Sequence, residues 1–269
     1  SADSSSNDST SSKIVSVNDF ENTGYLDLFF DALIQCQSSK ENVHIAFFGD
    51  SMIEGDLLTA EFRRKMQSKF GGNGVGFVPI TSIVSGFRNT IRHDFDDGWQ
   101  TFGFAEASKQ SFPLGPSGQL FIGQPEAEVH YKSSEYPFDK GELILNKKSE
   151  GEISIFTDQQ LRKSINLSPS KNSTSIIPIF QGPCKTIDIK CNQGNPVLYG
   201  VNFESGPGCY VDNFGYRGSS GTALSGYNKE LMNEISNALN YKLVVLQFGL
   251  NVIGKGVMDY SHYQKSMER

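Results

Sequence analysis

The stretch HIAFFGDSMIEGD, residues His44–Asp56, decides the fold of this chain. Its apolar run IAFF leads directly into Gly49, Asp50 and Ser51, and the helical pattern LLTAEFRRKMQSKF follows. This order predicts a buried strand, a tight turn with glycine and then a helix. Gly-Asp-Ser by itself is also a simple helix cap, but a serine between a buried strand and a helix is where α/β enzymes place a nucleophile. Ser51 is therefore our candidate nucleophile.

Two segments late in the chain add to this motif. CYVDNFGYRGSSGT, residues 209–222, contains Gly218, and KLVVLQFGLNVIGKG, residues 242–256, is a second buried-strand pattern that leads into Asn251. In order and local context, the three segments resemble the first three blocks of the SGNH (GDSL-type) hydrolase superfamily. The resemblance implies that Ser51 is the nucleophile and that Gly218 and Asn251 donate a backbone and a side-chain N–H to an oxyanion hole. It implies no metal and no other cofactor.

The chain departs from the family pattern at two points. Val252 follows Asn251, where the family usually has aspartate, but the asparagine carries the chemistry. The family also supplies a catalytic histidine and an aspartate three residues before it, near its C-terminus, whereas the Asp-x-x-His spacing of Asp259 and His262 in this chain falls in the helix-like segment DYSHYQKSMER soon after the third block. We interpret its four histidines as surface or partly buried polar residues: His44, His93, His130 and His262. We therefore expect the base on a missing C-terminal part of a longer protein.

The long separation between Ser51 and Gly218 predicts an insertion, because these blocks lie much closer together in small family members. Short runs such as GELILN and GEISIFT, punctuated by Gly, Pro, Asn and Ser, are typical of an antiparallel β-sandwich or jelly roll. The flanks alternate strand and helix patterns. We therefore expect an α/β fold: an SGNH-hydrolase-like parallel sheet with flanking helices, formed by 13–79 and 206–269 and interrupted by an inserted β-sandwich or jelly-roll domain at 80–205. The polar segment 1–12 is predicted to be a disordered tether.

Composition limits the classes of partner and compartment. The net charge is −6 and no Lys/Arg run occurs, which argues against nucleic acid. No apolar stretch approaches the roughly 18 residues of a membrane helix. The serine-rich start is typical of a secreted protein after removal of its signal, and equally of a recombinant product, and we expect a periplasmic or extracellular location. Four cysteines leave disulfide pairing or free thiols open, including a Cys184–Cys191 bridge across a hairpin: Cys36, Cys184, Cys191 and Cys209.

The predicted arrangement resembles bacterial peptidoglycan O-acetylesterases of the superfamily, which carry a carbohydrate-binding-module-like domain inserted in the hydrolase. This resemblance implies removal of acyl groups, acetyl in the first place, from a carbohydrate or cell-wall glycan. Two alternatives stay open: a lipase or thioesterase on the same scaffold, and a non-catalytic glycan-binding protein that kept the fold and lost the base.

Several residues are candidates for contact with such a substrate. Trp99, in DDGWQTFGF, has acidic and glycine neighbours that predict a loop, where its ring could stack on a sugar. Arg217 and Ser219 flank Gly218 and are candidate substrate contacts. Other aromatic residues of the insertion are candidates of the same kind: Phe102, Tyr131 and Tyr136.

Overall fold

The computed structural model describes residues 24–254 and 259–268, so the predicted tether at 1–12 lies outside the described residues. The helices are, in chain order, α1 (Asp27–Ser39), α2 (Ser51–Glu54), α3 (Leu57–Phe70), α4 (Lys229–Ala238) and α5 (Ser261–Met267). The strands are β1 (Val43–Gly49), β2 (Gly76–Pro79), β3 (Ile91–Phe95), β4 (Trp99–Phe102), β5 (Leu120–Gly123), β6 (Glu128–Ser133), β7 (Phe138–Leu145), β8 (Gly151–Thr157), β9 (Gln160–Leu167), β10 (Ile176–Cys184), β11 (Thr186–Gly194), β12 (Val197–Glu204), β13 (Cys209–Gly215) and β14 (Tyr241–Gln247). Short 3₁₀ helices occupy Ser85–Phe87, Phe104–Lys109 and Thr222–Gly226.

Antiparallel sheets dominate the described chain, and the predicted α/β class is therefore wrong. A six-stranded sheet has the order β10-β7-β12-β5-β4, with β2 also paired to β12, and a five-stranded sheet has the order β3-β6-β11-β8-β9. Within both sheets the strand pairs run antiparallel, whereas parallel pairing is confined to the three strands β13-β1-β14. The physical reason is that most strands between β1 and β13 pair with strands that are not their neighbours in the chain, such as β7 with β12 and β6 with β11, so long-range contacts between strands set the bulk of the fold.

The three parallel strands form a small sheet whose central strand, β1, is covered on both faces. Strand β1 is apolar along nearly its whole length, as expected for a strand that is buried on both sides. One face packs against α1 and α3, through Phe29 and Leu33 of α1. The other face packs against α4 and the six-stranded sheet, where Phe48 shares a cluster with Leu231 and Tyr199. This small sheet carries the candidate site at one end.

The two antiparallel sheets face each other across the largest apolar cluster of the described residues. Alternate residues of β8 and β11, such as Ile153 and Ile187, meet Leu143 and Val201 of the six-stranded sheet, all fully buried. Such alternation is the pattern of sheets with one face turned to a shared core.

Trp99 belongs to this core, and its predicted position on an exposed loop is wrong. The residue begins β4, is 9% exposed and donates from Nε1 to the Glu128 carbonyl oxygen at 3.1 Å. The acidic and glycine neighbours form the turn before the strand, while the indole itself fills space beside Cys191 and Gly123. Glycan stacking requires an exposed ring face, which this position does not offer.

The four cysteines are free, buried thiols. Cys184 ends β10 in one sheet and Cys191 lies in β11 of the other, so the two do not bridge a hairpin. Among the described helices, none has both the length and the apolar character needed to cross a membrane.

Candidate active site

The three residues of the sequence motifs follow the three parallel strands at one edge of the small sheet. Ser51 comes after β1, Gly218 after β13 and Asn251 after β14. The register aligns the ends of these strands, since Gly49 lies opposite both Gly215 and Gln247. Because the strands are parallel, their carboxyl ends meet at the same edge, which is where open α/β sheets bind ligands.

The turn that presents Ser51 is tightly braced. Asp50 is fully buried and caps α2, because its Oδ1 accepts a hydrogen bond from the Met52 backbone N–H at 2.9 Å. Gly49 lets Ile53 pack closely against the turn, since a Cβ at this position would lie 2.9 Å from the Ile53 side chain and would force it to shift. Ser51 is the first residue of α2 and is exposed. The turn thus holds the hydroxyl at the surface on a rigid base.

Asn251 is brought to this turn through Asp50. Its Nδ2 donates to Asp50 Oδ2 at 3.1 Å and to the Ser219 carbonyl oxygen at 2.9 Å. The first of these bonds joins residues 201 positions apart in the chain. The side-chain amide therefore connects all three motifs, with both of its hydrogens engaged by protein oxygens.

The loop after β13 approaches the end of β1. The Tyr216 N–H donates to the Gly49 carbonyl oxygen at 3.0 Å, and a turn closes from the Ser219 N–H to the Tyr216 carbonyl oxygen at 3.1 Å. Gly218 lies inside this turn with φ of +76°, and a Cβ there would meet open space. The backbone of Gly218 is exposed, and this open space suits a backbone N–H that donates to an oxyanion.

Arg217 and Ser219 are both turned toward protein groups. Arg217 Nε donates to Glu54 Oε2 at 3.0 Å, which ties the loop to the end of α2, although the Arg217 side chain stays 60% exposed. Ser219 Oγ accepts from the Gly221 N–H at 3.1 Å. Arg217 thus lies beside the candidate nucleophile's helix, and Ser219 contributes its carbonyl oxygen to Asn251.

A buried polar network below α2 supports the site. Asn213 Nδ2 donates to the Ile53 carbonyl oxygen at 2.6 Å and to Thr59 Oγ1 at 2.7 Å, which fastens α2 and α3 to β13. Asp56, between the two helices, accepts two bonds from Arg63, each 2.9 Å long. Burial alone would raise the pKa of Asp56, but the neighbouring guanidinium groups of Arg63 and Arg88 hold it well below its usual range. The sequence does not reveal this network, since nothing local marks its members.

No histidine among the described residues forms a hydrogen bond with Ser51. His93 is buried in the sandwich with Nε2 at 2.9 Å from the Ile80 carbonyl oxygen, and burial lowers its pKa to about 4. His130 pairs with Asp188 on the five-stranded sheet. His262 is exposed on α5, next to Tyr263, whose hydroxyl donates to the Ser220 carbonyl oxygen at 2.8 Å. Helix α5 therefore packs on the loop that follows Gly218.

His44 lies at the opposite end of β1 from Ser51 and is held between two carboxylates. Nδ1 is 2.8 Å from Asp212 Oδ2 and Nε2 is 3.1 Å from Glu204 Oε1. Burial by itself would lower the pKa of His44, but Asp212 and Glu204 together raise it to about 9. A charged imidazolium at this end of the strand joins the small sheet to β12 and has no access to the serine.

Comparison with known proteins gives a structural likeness over most of the chain. A solved structure described as a peptidoglycan O-acetylesterase in action matches with a TM-score of 0.62 and 18% identity, covering 90% of this chain and 65% of that chain. The two chains therefore share a fold, and this chain spans less than two thirds of that enzyme's length. No protein-family model and no curated protein matches the chain.

Carbohydrate-binding modules also appear among the solved structures that match. A family 32 module from C. perfringens NanJ in complex with galactose has 8% identity and a TM-score of 0.30, covering 48% of this chain and 98% of that one. A family 29 module studied for ligand recognition has 20% identity and a TM-score of 0.29, covering 49% of this chain and 93% of that one.

Proposed function

We propose that this protein is a serine esterase of SGNH type that removes acyl groups, acetyl in the first place, from a carbohydrate or cell-wall glycan. The observation that carries the proposal is the Asn251 amide, which joins the Ser51 turn to the Gly218 loop through Asp50 and Ser219. Three sequence motifs from distant parts of the chain thereby meet at one sheet edge. The shared fold with a peptidoglycan O-acetylesterase supports a glycan ester as the substrate class.

In the proposed mechanism Ser51 Oγ attacks the ester carbonyl carbon and loses its proton to a base. The backbone N–H groups of Ser51 and Gly218 and the Asn251 side-chain N–H stabilise the tetrahedral oxyanion. Removing one such donor typically costs about 3–4 kcal/mol of barrier lowering. The base is proposed to be a histidine supplied by a further part of the protein, because the histidines of the described residues are engaged elsewhere or make no bond with Ser51. Such an enzyme would act in the periplasm or outside the cell, where cell-wall glycans are.

The test is acetate release from an O-acetylated oligosaccharide. We expect Ser51→Ala to abolish turnover, since loss of a nucleophile removes several orders of magnitude of rate. Ser164→Ala, on exposed strand β9, is the matched control and should retain full activity. For the 269-residue chain, added imidazole can act as a base in place of the proposed histidine and should raise the rate only when Ser51 is present. Turnover that is identical in Ser51→Ala and the parent protein, with and without imidazole, would refute the esterase assignment.

A non-catalytic glycan-binding function is the second candidate. Two observations favour it. Both Asn251 amide hydrogens are engaged by protein oxygens, and Ser51 has no histidine partner among the described residues. Glycan binding that is equal in Ser51→Ala and the parent protein, without acetate release under any of the conditions above, would favour this candidate.

A further inference from the structure

An open groove runs between helix α3 and the edge of the β-sandwich. It has a volume of about 570 Å³ and is lined on one side by α3, including Arg64 and Gln67, and on the other by Phe87, Asn89 and Tyr136. This size lies within the range of roughly 300–1,000 Å³ that is typical of ligand-binding clefts. The groove is separate from the Ser51 turn itself, which is not part of its lining.

Two aromatic rings stand exposed in the groove. Phe87 is 65% exposed and Tyr136 is 56% exposed, although most aromatic side chains of the sandwich, such as Tyr131 and Phe203, are fully buried. The two rings come from different segments, the 3₁₀ helix Ser85–Phe87 and the connection between β6 and β7. Exposed aromatic rings in a cleft offer apolar faces to the CH-rich faces of pyranose rings.

The rest of the lining combines apolar residues (Leu57, Ala60, Val75 and Phe138) with polar ones, and its charges nearly balance, with Glu135 as the one excess. Arg64 pairs with Glu61, and Arg63 pairs with Asp56, so four of the charges offset one another. The side-chain amides of Asn73 and Asn89 are exposed and make no hydrogen bond with any described residue. Free amides bind hydroxyl groups, and balanced charges do not favour an ionic ligand. The chemistry therefore fits a neutral, hydroxyl-rich chain.

The near end of the groove touches the helix that begins with Ser51. Gly55 directly follows α2 and lines the groove, and a Cβ on it would lie 3.5 Å from Phe87 Cβ. Gly55 lies four positions after Ser51, which is about 6 Å along a helix. A substrate sugar whose ester lies over Ser51 would thus place the neighbouring sugars of its chain at the mouth of the groove.

We infer that this groove, with Phe87 and Tyr136 as stacking surfaces, binds the sugars that flank the acylated unit of a pyranose polysaccharide. The inference rests on the proposed function, because it assigns the extended part of the same substrate. It makes the enzyme selective for long glycan chains over isolated sugars. Trp99, buried in the sandwich core, has no part in this surface.

The test is calorimetric titration of Ser51→Ala protein with the dimer and the pentamer of β-1,4-linked N-acetylglucosamine. We expect the pentamer to bind about tenfold more tightly than the dimer, because only the pentamer reaches the aromatic rings. Phe87→Ala and Tyr136→Ala should each weaken pentamer binding by about three- to tenfold. The double variant should bind pentamer and dimer alike. Tyr25→Ala, which removes an exposed aromatic ring outside the groove, is the matched control and should leave both affinities unchanged.

Thermal unfolding of each variant excludes loss of fold, which is not expected for exposed side chains. Absence of pentamer binding, or pentamer binding that survives the double variant, would overturn the groove assignment. Acetate release by protein with Ser51 intact is measured separately. Binding that depends on chain length, without any acetate release, would refute the esterase proposal and support the groove assignment. Acetate release with binding that does not depend on chain length would support the esterase proposal and refute the groove assignment.

Discussion

At the scale of single residues, the hydrogen bonds of the Asn251 side chain determine which movement the proposed oxyanion hole requires. Its two amide hydrogens are directed to Asp50 and to the Ser219 carbonyl oxygen. In the proposed mechanism, the hydrogen directed to Asp50 turns toward the developing oxyanion. Asp50 keeps its bond from the Met52 N–H when this happens, so the turn that presents Ser51 stays capped.

Comparing alanine variants of Gly218 and Gly206 separates the effect of backbone strain on stability from the effect of Gly218 on catalysis. Gly218→Ala forces a positive φ on alanine without any clash, as Gly206→Ala does in the turn between β12 and β13, where φ is +73° and no atom lies within 4 Å. We expect both variants to lose about 1 kcal/mol of unfolding free energy in denaturant titrations. Only Gly218→Ala should also lower kcat on an acetylated oligosaccharide, by more than about tenfold. Equal kcat values for the two variants would argue against the oxyanion role.

At the scale of elements, the joint between α2 and α3 depends on the buried Asp56–Arg63 pair. Arg63→Met leaves the buried Asp56 carboxylate with Arg88 as its one remaining cationic neighbour among the described residues, and we expect a loss of about 3 kcal/mol of unfolding free energy. Arg64→Met, one residue further along the same helix, removes an exposed partner of Glu61 and should cost far less, because solvent screens exposed ion pairs. Denaturant unfolding of both variants measures the difference, and similar losses would mean that the buried pair does not hold the joint.

His44, at the opposite end of the small sheet from Ser51, makes the free energy of unfolding depend on pH. The pKa of His44 in the folded protein, about 9, lies above its ordinary value of 6.5. The stabilisation that protonated His44 gives to the folded state is therefore complete below about pH 6.5 and is lost as pH rises through 9. The difference between the two pKa values corresponds to about 3 kcal/mol of unfolding free energy. We expect the unfolding free energy of the parent protein to fall more steeply than that of His44→Gln between pH 6.5 and 9. Parallel pH profiles for the two proteins would contradict the assignment.

At the scale of the whole molecule, the antiparallel sandwich is the bulk of the structure and Trp99 is part of its core. Trp99→Ala should therefore lower the unfolding free energy by about 3–5 kcal/mol, as other large core truncations do. Tyr136→Ala, at an exposed position in the groove, should change it by less than about 0.5 kcal/mol. Chemical denaturation of the two variants provides the comparison. A small effect of Trp99→Ala on stability would place the indole outside the core.

The sequence by itself determined the local units around Ser51. Apolar runs, a glycine that admits the close approach of Ile53, and a capping aspartate specify a strand, a turn and a helix through neighbours in the chain. The same local logic marked the short apolar runs of the insertion. Which strands pair, and in which direction, depends on contacts between distant segments, and the predicted α/β class failed for that reason.

Only the tertiary structure decided the contacts that join distant residues. The bond between Asn251 and Asp50, the enclosure of His44 by Asp212 and Glu204, and the burial of Trp99 each depend on packing between elements that are far apart in the chain. Local composition indicated a loop for Trp99 because its neighbours are polar, while the cavity that accepts its ring is formed by other strands. A side chain's environment is set by what packs against it, and this is a property of the folded molecule rather than of its neighbours in sequence.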